Sequence, residues 1–262
     1  MLEVLVDPPA AVIRSLLKHD PIRAAYLLGD LDPAIFPRCH WFVAAHGGQP
    51  VSAVLIFAGL STPAVLSFGA PDGVQEILAT QAGALPSACW VKIPPPHEAA
   101  YRGAYEILRV EPTWIMGLQH DDFRPASGSV TVRRLGRDEP LGPVLRVYDD
   151  YPGHFFEPSQ LETGLYVGAF EGERLVSIAG THARSPEDGT AVLGNIVTAH
   201  DVRGRGYAAA CTSRLIEAHR DTGCPTIALH VAGTNTAAIR CYRNLGFAFV
   251  DTVLQARCEK RT

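Results

Sequence analysis

The chain has 262 residues, of which 47% are apolar and 19% charged, and its net charge at pH 7 is −4. That length fits one large or two modest domains with a sizeable core, and the mildly acidic balance without a basic run argues against a nucleic-acid partner. No apolar run reaches the ~18 residues of a membrane span, no charged n-region precedes an apolar stretch at the start, and six cysteines (Cys39, Cys89, Cys211, Cys224, Cys241, Cys258) lack C-x-x-C spacing. The expectation is a cytoplasmic protein with reduced, mostly buried thiols, no metal and no membrane contact.

The pattern in the first half predicts helices over 10–18 and 21–28. Strands at 41–45 and 51–58 form a hairpin around Gly47-Gly48, and a third strand covers 64–68. A helix over 72–84, a strand at 89–93, a helix over 97–105 and a strand at 107–118 follow. Residues 121–129 mix polar, Pro and Gly residues and read as a linker, which divides the chain into domains 1–124 and 125–262.

The second half opens with a strand at 130–135, a helix over 138–149 and the loop Tyr151-Pro152-Gly153-His154-Phe155-Phe156. Strands at 165–170 and 174–181 flank the turn Glu171-Gly172-Glu173. A strand at 191–198 leads to a helix over about 208–221, with Ala208, Cys211, Leu215 and Ala218 on one stripe and Gly223 at its end. A strand at 226–232, a helix over 236–245 and a strand at 247–254 complete it. The two halves share one element order, so an internal duplication is expected, on an α/β (α+β) fold with a mixed sheet flanked by helices.

Between the strand at 191–198 and the following helix lies Val202-Arg203-Gly204-Arg205-Gly206-Tyr207-Ala208. A glycine turn here leaves backbone N–H groups pointing outward at a helix N-terminus, where the first donors lack intrahelical partners and the dipole is positive. Gly204 and Gly206 let the backbone approach an anion without a Cβ, and Arg203 and Arg205 can add charge-assisted contacts. The segment reads as a diphosphate cradle. It lacks the G-x-x-x-x-G-K-[ST] string of a P-loop. Read as a dinucleotide loop it has Ala209 in place of the third glycine, and no acid ends the next strand, which argues against an oxidoreductase.

Arg203-x-x-Gly206-x-Ala208 resembles the R/Q-x-x-G-x-G/A loop of the GNAT superfamily of N-acetyltransferases. Downstream, Asn235-x-x-Ala238-x-x-x-Tyr242-x-x-x-Gly246-Phe247 is similar to that family's N-x-x-A-x-x-x-Y-x-x-x-G-F run. The resemblance implies two tandem GNAT-like domains, the first degenerate: its third strand is followed by Gly69-Ala70-Pro71-Asp72-Gly73, without a usable cradle, and it should lack a CoA site and serve as a lid or partner surface. The tandem layout is similar to that of mycothiol synthase and glycine N-acyltransferase relatives, and neither match names an acceptor. The family usually ends in one strand more than the second half supplies, so a strand from elsewhere is expected to fill that place.

The resemblance implies that acetyl-CoA is the acyl-donor cosubstrate and an amine, on a small molecule or a peptide, the acceptor; a second copy of the chain, in a homodimer, is the other partner considered. The pyrophosphate would be held by Arg203, Gly204, Arg205, Gly206, Tyr207 and Ala208. Backbone groups of Ile196, Val197 and Thr198 would face the thioester and pair with the pantetheine arm. Asn235 would cap its helix and touch CoA. Tyr242, a phenol still protonated at pH 7, would protonate the leaving sulfur. The strand at 191–198 carries no ionisable group, where many family members have a Glu. Glu162, His182 and His154 are therefore the candidates for the base, with His154 and its aromatic loop read rather as shaping an acceptor pocket. The other reading is a CoA-binding or scaffold protein of the same fold without catalysis.

Overall fold

The fold is drawn from a computed structural model, which describes residues 2–128, 130–149, 151, 154–163 and 165–261. Ser129 of the expected linker and Pro152 and Gly153 of the aromatic loop lie outside these residues. The chain divides into two compact units: Met1–Ile115 with Val231–Thr234 and Val250–Thr262, and Met116–His230 with Asn235–Phe249.

The first unit holds β1 (Leu2–Val6), α1 (Ala10–Leu17), α2 (Ala25–Gly29), β2 (Cys39–His46), β3 (Gln49–Phe57), β4 (Ala64–Gly69), α3 (Pro71–Thr80), β5 (Ala88–Ile93), α4 (Glu98–Ala104) and most of β6 (Tyr105–Leu118). β1 pairs antiparallel with β2, β2 with β3 and β3 with β4, and β4 runs parallel to β5. β1 was not expected from the sequence: a five-residue strand offers too short a period-2 signal to read alone. One core packs Val74, Ile77 and Tyr101 from α3 and α4 on one face of the sheet, and another packs Ile13, Leu17, Leu27 and Leu28 from α1 and α2 on the other.

The second unit holds β7 (Val132–Leu135), α5 (Leu141–Asp149), α6 (Gln160–Thr163), β8 (Tyr166–Glu171), β9 (Arg174–Ser185), β10 (Thr190–Thr198), α7 (Tyr207–Asp221), most of β11 (Thr226–Ala232) and α8 (Thr236–Asn244). Antiparallel pairs β7–β8, β8–β9 and β9–β10 precede the parallel pair β10–β11. The first unit's pairing order is thus repeated, as the duplication requires. The buried stripe of α7 is Cys211, Thr212, Leu215, Ile216 and His219, while Ala208 and Ala218 are only partly covered. Gly223, at φ +87°, ends the helix as expected. α6 was not expected, because a four-residue helix is too short for a helical period.

The last strand, β12 (Ala248–Lys260), leaves the second unit. Its residues Leu254 to Glu259 pair antiparallel with Ile93 to Ala88 of β5, where Ala256 and Cys258 join the buried core of the first unit. The order in that unit becomes β1-β2-β3-β4-β5-β12-β6. A strand from the C-terminal end thus completes the N-terminal unit. The six cysteines are unpaired, five buried and Cys241 partly so.

His219 links α7 to β9. Thr181 Oγ1 donates its proton to the Leu165 carbonyl at 2.9 Å, so the Nε2–H of His219 is the donor in their 2.8 Å contact. Nδ1 is then a buried bare acceptor without a hydrogen-bond partner among the described residues, and burial lowers the pKa of the ring to about 4. An exposed histidine titrates near ~6.5. Between those values the unfolded chain binds more protons, so stability contributed by neutral His219 is complete above about pH 6.5 and is lost as pH falls toward 4. His219→Gln, whose amide N–H can replace Nε2–H, should flatten this acid limb. Urea midpoints measured from pH 7 to pH 4.5 should fall less steeply in the variant than in the wild type.

Candidate active site

The site begins where two parallel strands stop pairing. β10 keeps register with β11 from Thr190↔Thr226 to Leu193↔Leu229 and no further. Its other edge pairs Gly194 with Gly180 and Val197 with Ile178, so Asn195 and Ile196 stand opposite Ala179 alone. This is a β-bulge, which bends a strand and breaks its ladder. Asn195 sits in it at φ +51°, a left-handed conformation that Asn tolerates through its short polar side chain.

The bulge is held from one side. The Tyr148 hydroxyl on α5 donates to the Asn195 carbonyl at 2.9 Å. The peptide is trans, so the Ile196 N–H points away from Tyr148. Val197 and Thr198 return to register with β9. Ser177 Oγ donates to the Val197 carbonyl at 2.9 Å and lies 2.8 Å from Thr198 Oγ1. Of the three residues expected to present backbone to a thioester, Ile196 is the one freed by the bulge.

The cradle follows. A single turn over His200–Val202 leads to Gly204 at φ +79° and Gly206 at φ +87°, and Gly206 is the N-cap of α7. The first intrahelical bond runs from Ala210 N–H to the Gly206 carbonyl at 3.0 Å, and no side chain caps the helix. The N–H groups of Tyr207 to Ala209 are therefore not claimed by the helix itself. A Cβ at Gly204 or Gly206 would meet open space, so protein packing does not demand glycine there. The backbone angle demands it, and the uncovered surface suits a large anion.

The flanking charges are partly committed. Arg203 Nε donates to the Thr198 carbonyl at 3.1 Å. Arg205 pairs with Glu171 at 3.2 Å, and the Tyr207 hydroxyl donates to the same carboxylate oxygen at 2.6 Å, which raises the pKa of the phenol. Arg174 grips Asp201 through two 2.7 Å bonds. These exposed pairs contribute little to stability but brace the turn.

The first unit carries a different turn at the same place in its topology. A Cβ at Gly69 would lie 2.2 Å from the Val51 carbonyl, so glycine there serves packing against β3. Pro71 opens α3 and has no N–H. The gap beyond the short β4–β5 register, which ends at Leu66↔Lys92, is occupied by His97. Its Nε2 donates to the Gly69 carbonyl at 3.0 Å, and its Nδ1 accepts from Ser67 at 2.9 Å. His97 and Ser67 are both buried.

The remaining predicted residues of the second unit are distributed as follows. Asn235, exposed, is the N-cap of α8, and its Oδ1 accepts from Ala238 N–H at 3.1 Å. Tyr242 on α8 is buried with its ring edge-on to Phe247, and burial, with Cys241 and Tyr151 nearby, raises its pKa further. β9 bulges at His182, whose ring covers Gly194: a Cβ on that glycine would lie 2.1 Å from the imidazole. His182 thus stands beside the residue that precedes Asn195. Glu162 lies exposed on α6. His154 packs at 4.9 Å against Tyr148, which stacks on Phe156 at 4.5 Å.

The bulge also holds a polar cluster that no sequence motif marks. Asn195 Nδ2 donates to Gln160 Oε1 at 3.0 Å and to the Tyr166 hydroxyl at 2.8 Å, and that hydroxyl donates to Gln160 Oε1 at 3.0 Å. The Tyr166 ring lies over Gly180, where a Cβ would come within 2.1 Å of it. A polar residue in the apolar run 191–198 was the signal available, and Asn195 is the most polar side chain there.

A parallel strand pair parts at a bulge here and is followed by a glycine turn into a helix, the arrangement that the GNAT resemblance implies. Residues 131–247 match the model of the Acetyltransferase (GNAT) family, so the segment that carries the site is a GNAT domain, of a family of N-acetyltransferases. Along its whole length the chain is similar to a Drosophila protein of known structure, with a TM-score of 0.70 and 15% identity, covering 100% of this chain and 98% of that one. A tandem GNAT protein from the clavulanic acid biosynthesis pathway aligns with a TM-score of 0.58 and 14% identity over 99% of this chain and 98% of its own. A GNAT-family protein from Novosphingobium aromaticivorans is 22% identical, with a TM-score of 0.59, over 80% and 89% of the two chains. Among curated proteins none matches the chain. Among the described residues no group of three or more His, Cys, Asp or Glu is placed to hold a metal ion, and no helix is long and apolar enough to cross a membrane.

Replacing Gly206 with a β-branched residue tests the cradle. Gly206→Val forces a side chain into φ +87° and covers the open face of the turn. Acetyl-CoA affinity measured by titration calorimetry should fall at least ~10-fold, about 1.4 kcal/mol. Unchanged affinity would remove the turn from the binding site.

Proposed function

We propose that the chain is an acetyl-CoA-dependent N-acetyltransferase that acylates an amine by direct attack on the thioester. The observation that carries this is the coincidence of the Asn195 bulge, the loss of β10–β11 register after Leu193 and the uncovered glycine turn that opens α7. The bound cosubstrate supplies an activated acyl group. Arg203, Gly204, Arg205, Gly206, Tyr207 and Ala208 hold its pyrophosphate, with the helix N-terminus as the main attraction. Asn235 both caps α8 and reaches the cosubstrate. The edge of β10 from Ile196 to Thr198 takes the extended arm as an added strand.

In the reaction the amine nitrogen bonds to the carbonyl carbon, the carbon–sulfur bond breaks, and one proton passes in net from nitrogen to sulfur. The Ile196 N–H stabilises the developing oxyanion. Tyr242 is the proton donor to the thiolate: burial raises its pKa, so the phenol is protonated at every ordinary pH. His182 is favoured over Glu162 as the base that keeps the amine neutral, because its ring covers Gly194 beside the bulge, whereas Glu162 is exposed on α6.

Steady-state thiol release with a panel of amines tests the activity. Tyr242→Phe should lower kcat ~10²-fold or more and leave the titrated acetyl-CoA affinity unchanged. Binding of acetyl-CoA without turnover on any amine would favour the second reading, a CoA-binding module, which the absence of any ionisable side chain on β10 supports.

Catalysis is assigned to the domain 125–262, and the domain 1–124 is read as a copy without a cosubstrate site. The His97 plug, the Pro71 helix start and the covered Gly69 support this. Titration should therefore give one acetyl-CoA per chain. A stoichiometry of two would overturn the assignment.

A further inference from the structure

The direction of every hydrogen bond in the bulge cluster follows from one fixed donor. The backbone N–H of Glu157 donates to Gln160 at 3.1 Å, so the atom it reaches is the oxygen Oε1. The Asn195 atom 3.0 Å from that oxygen must then be the nitrogen Nδ2. The Tyr166 hydroxyl, 3.0 Å from the same oxygen, uses its only proton there and accepts from Nδ2 at 2.8 Å. Burial raises the pKa of this phenol, so it remains a donor.

Two atoms are left over. Asn195 Oδ1 is an acceptor and Gln160 Nε2 a donor, and among the described residues neither has a hydrogen-bond partner. Both side chains are partly exposed. The two atoms sit on side chains joined by a single hydrogen bond, one of them on the residue before Ile196. The acceptors of these bonds are an amide oxygen and a phenol oxygen, both neutral.

Resting on the acyltransferase reading, we propose that this pair recognises the acceptor: Asn195 Oδ1 accepts from the attacking amine, and Gln160 Nε2 donates to a carbonyl or carboxylate oxygen on the adjacent carbon. The acceptor class is an α-amino carbonyl compound, a free amino acid or a peptide N-terminus, rather than a plain amine. Asn195 and Gln160 are specificity residues. The left-handed bulge keeps the Asn195 side chain in the cluster, and the Glu157 N–H fixes which way both amides face.

Matched acceptors test this: phenylalanine amide against phenethylamine, and glycylglycine against ethylamine, each with acetyl-CoA and thiol release as the readout. Wild type should favour the α-amino carbonyl member of each pair at least ~10-fold in kcat/KM. Gln160→Glu keeps an oxygen toward Glu157, Tyr166 and Asn195 and turns the outward donor into a charged acceptor. It should erase that preference while acetyl-CoA affinity is unchanged. Equal rates within each wild-type pair, or a preference that survives Gln160→Glu, would overturn the assignment. The wild-type comparison decides even if the variant misfolds. Turnover confined to plain amines overturns the acceptor class alone, whereas acetyl-CoA binding with no turnover on any amine overturns the acyltransferase reading with it.

Discussion

The bulge at Asn195 is the constraint on which the site rests. Two parallel strands would ordinarily continue to pair, and each unpaired backbone group in a covered sheet costs free energy comparable to a lost hydrogen bond. Here β10 leaves its register with β11 after Leu193, and the bulge takes two of its residues out of step with β9. The Tyr148 hydroxyl satisfies the Asn195 carbonyl, and Gln160 and Tyr166 accept both protons of its side-chain Nδ2. A residue strained by roughly 1–2 kcal/mol persists because its surroundings over-determine it. The result is an exposed strand edge leading directly into a helix start with uncapped N–H groups.

The two units show what that arrangement requires by carrying it once and closing it once. Both pair three antiparallel ladders and then a parallel one. In the second unit the glycines after the fourth strand face open space. In the first, Gly69 is packed on β3, a proline removes one helix donor, and His97 ties itself to Ser67 and the Gly69 carbonyl. Desolvation lowers the pKa of His97, which suits a neutral ring that donates at Nε2 and accepts at Nδ1. One fold thus carries an open helix start or a packed one, according to a handful of side chains.

Elements with a long period or a strong turn signal were legible in the sequence. α7, the Gly47-Gly48 hairpin and the strand before the cradle fall within a residue or two of their expected limits. The glycine turn before α7 was legible because positive φ selects glycine, and Gly204 and Gly206 both have it. Asn235 at its cap position was legible for the same kind of local reason. The cluster of Gln160, Tyr166 and Asn195 was not, since its members lie up to 35 positions apart and only Asn195 stands out in its own segment. That the His182 ring lies on Gly194 was not legible either, since the two residues meet only through the pairing of β9 with β10.

By itself, then, the chain's order of residues determined what depends on near neighbours: strand and helix limits, the left-handed glycines, the cap on α8 and the likeness to a family of acyl carriers' enzymes. Tertiary structure alone decided what depends on distant pairing. It sent β12 to the edge of β5 in the first unit, where burial of Ala256 and Cys258 rewards the pairing. It laid the His182 ring on Gly194, and it fixed the orientation of both amides through one backbone N–H at Glu157. Periodicity shows which face of a strand is apolar, but a strand's partner is set by register and by the total surface buried, and both are properties of the assembled fold.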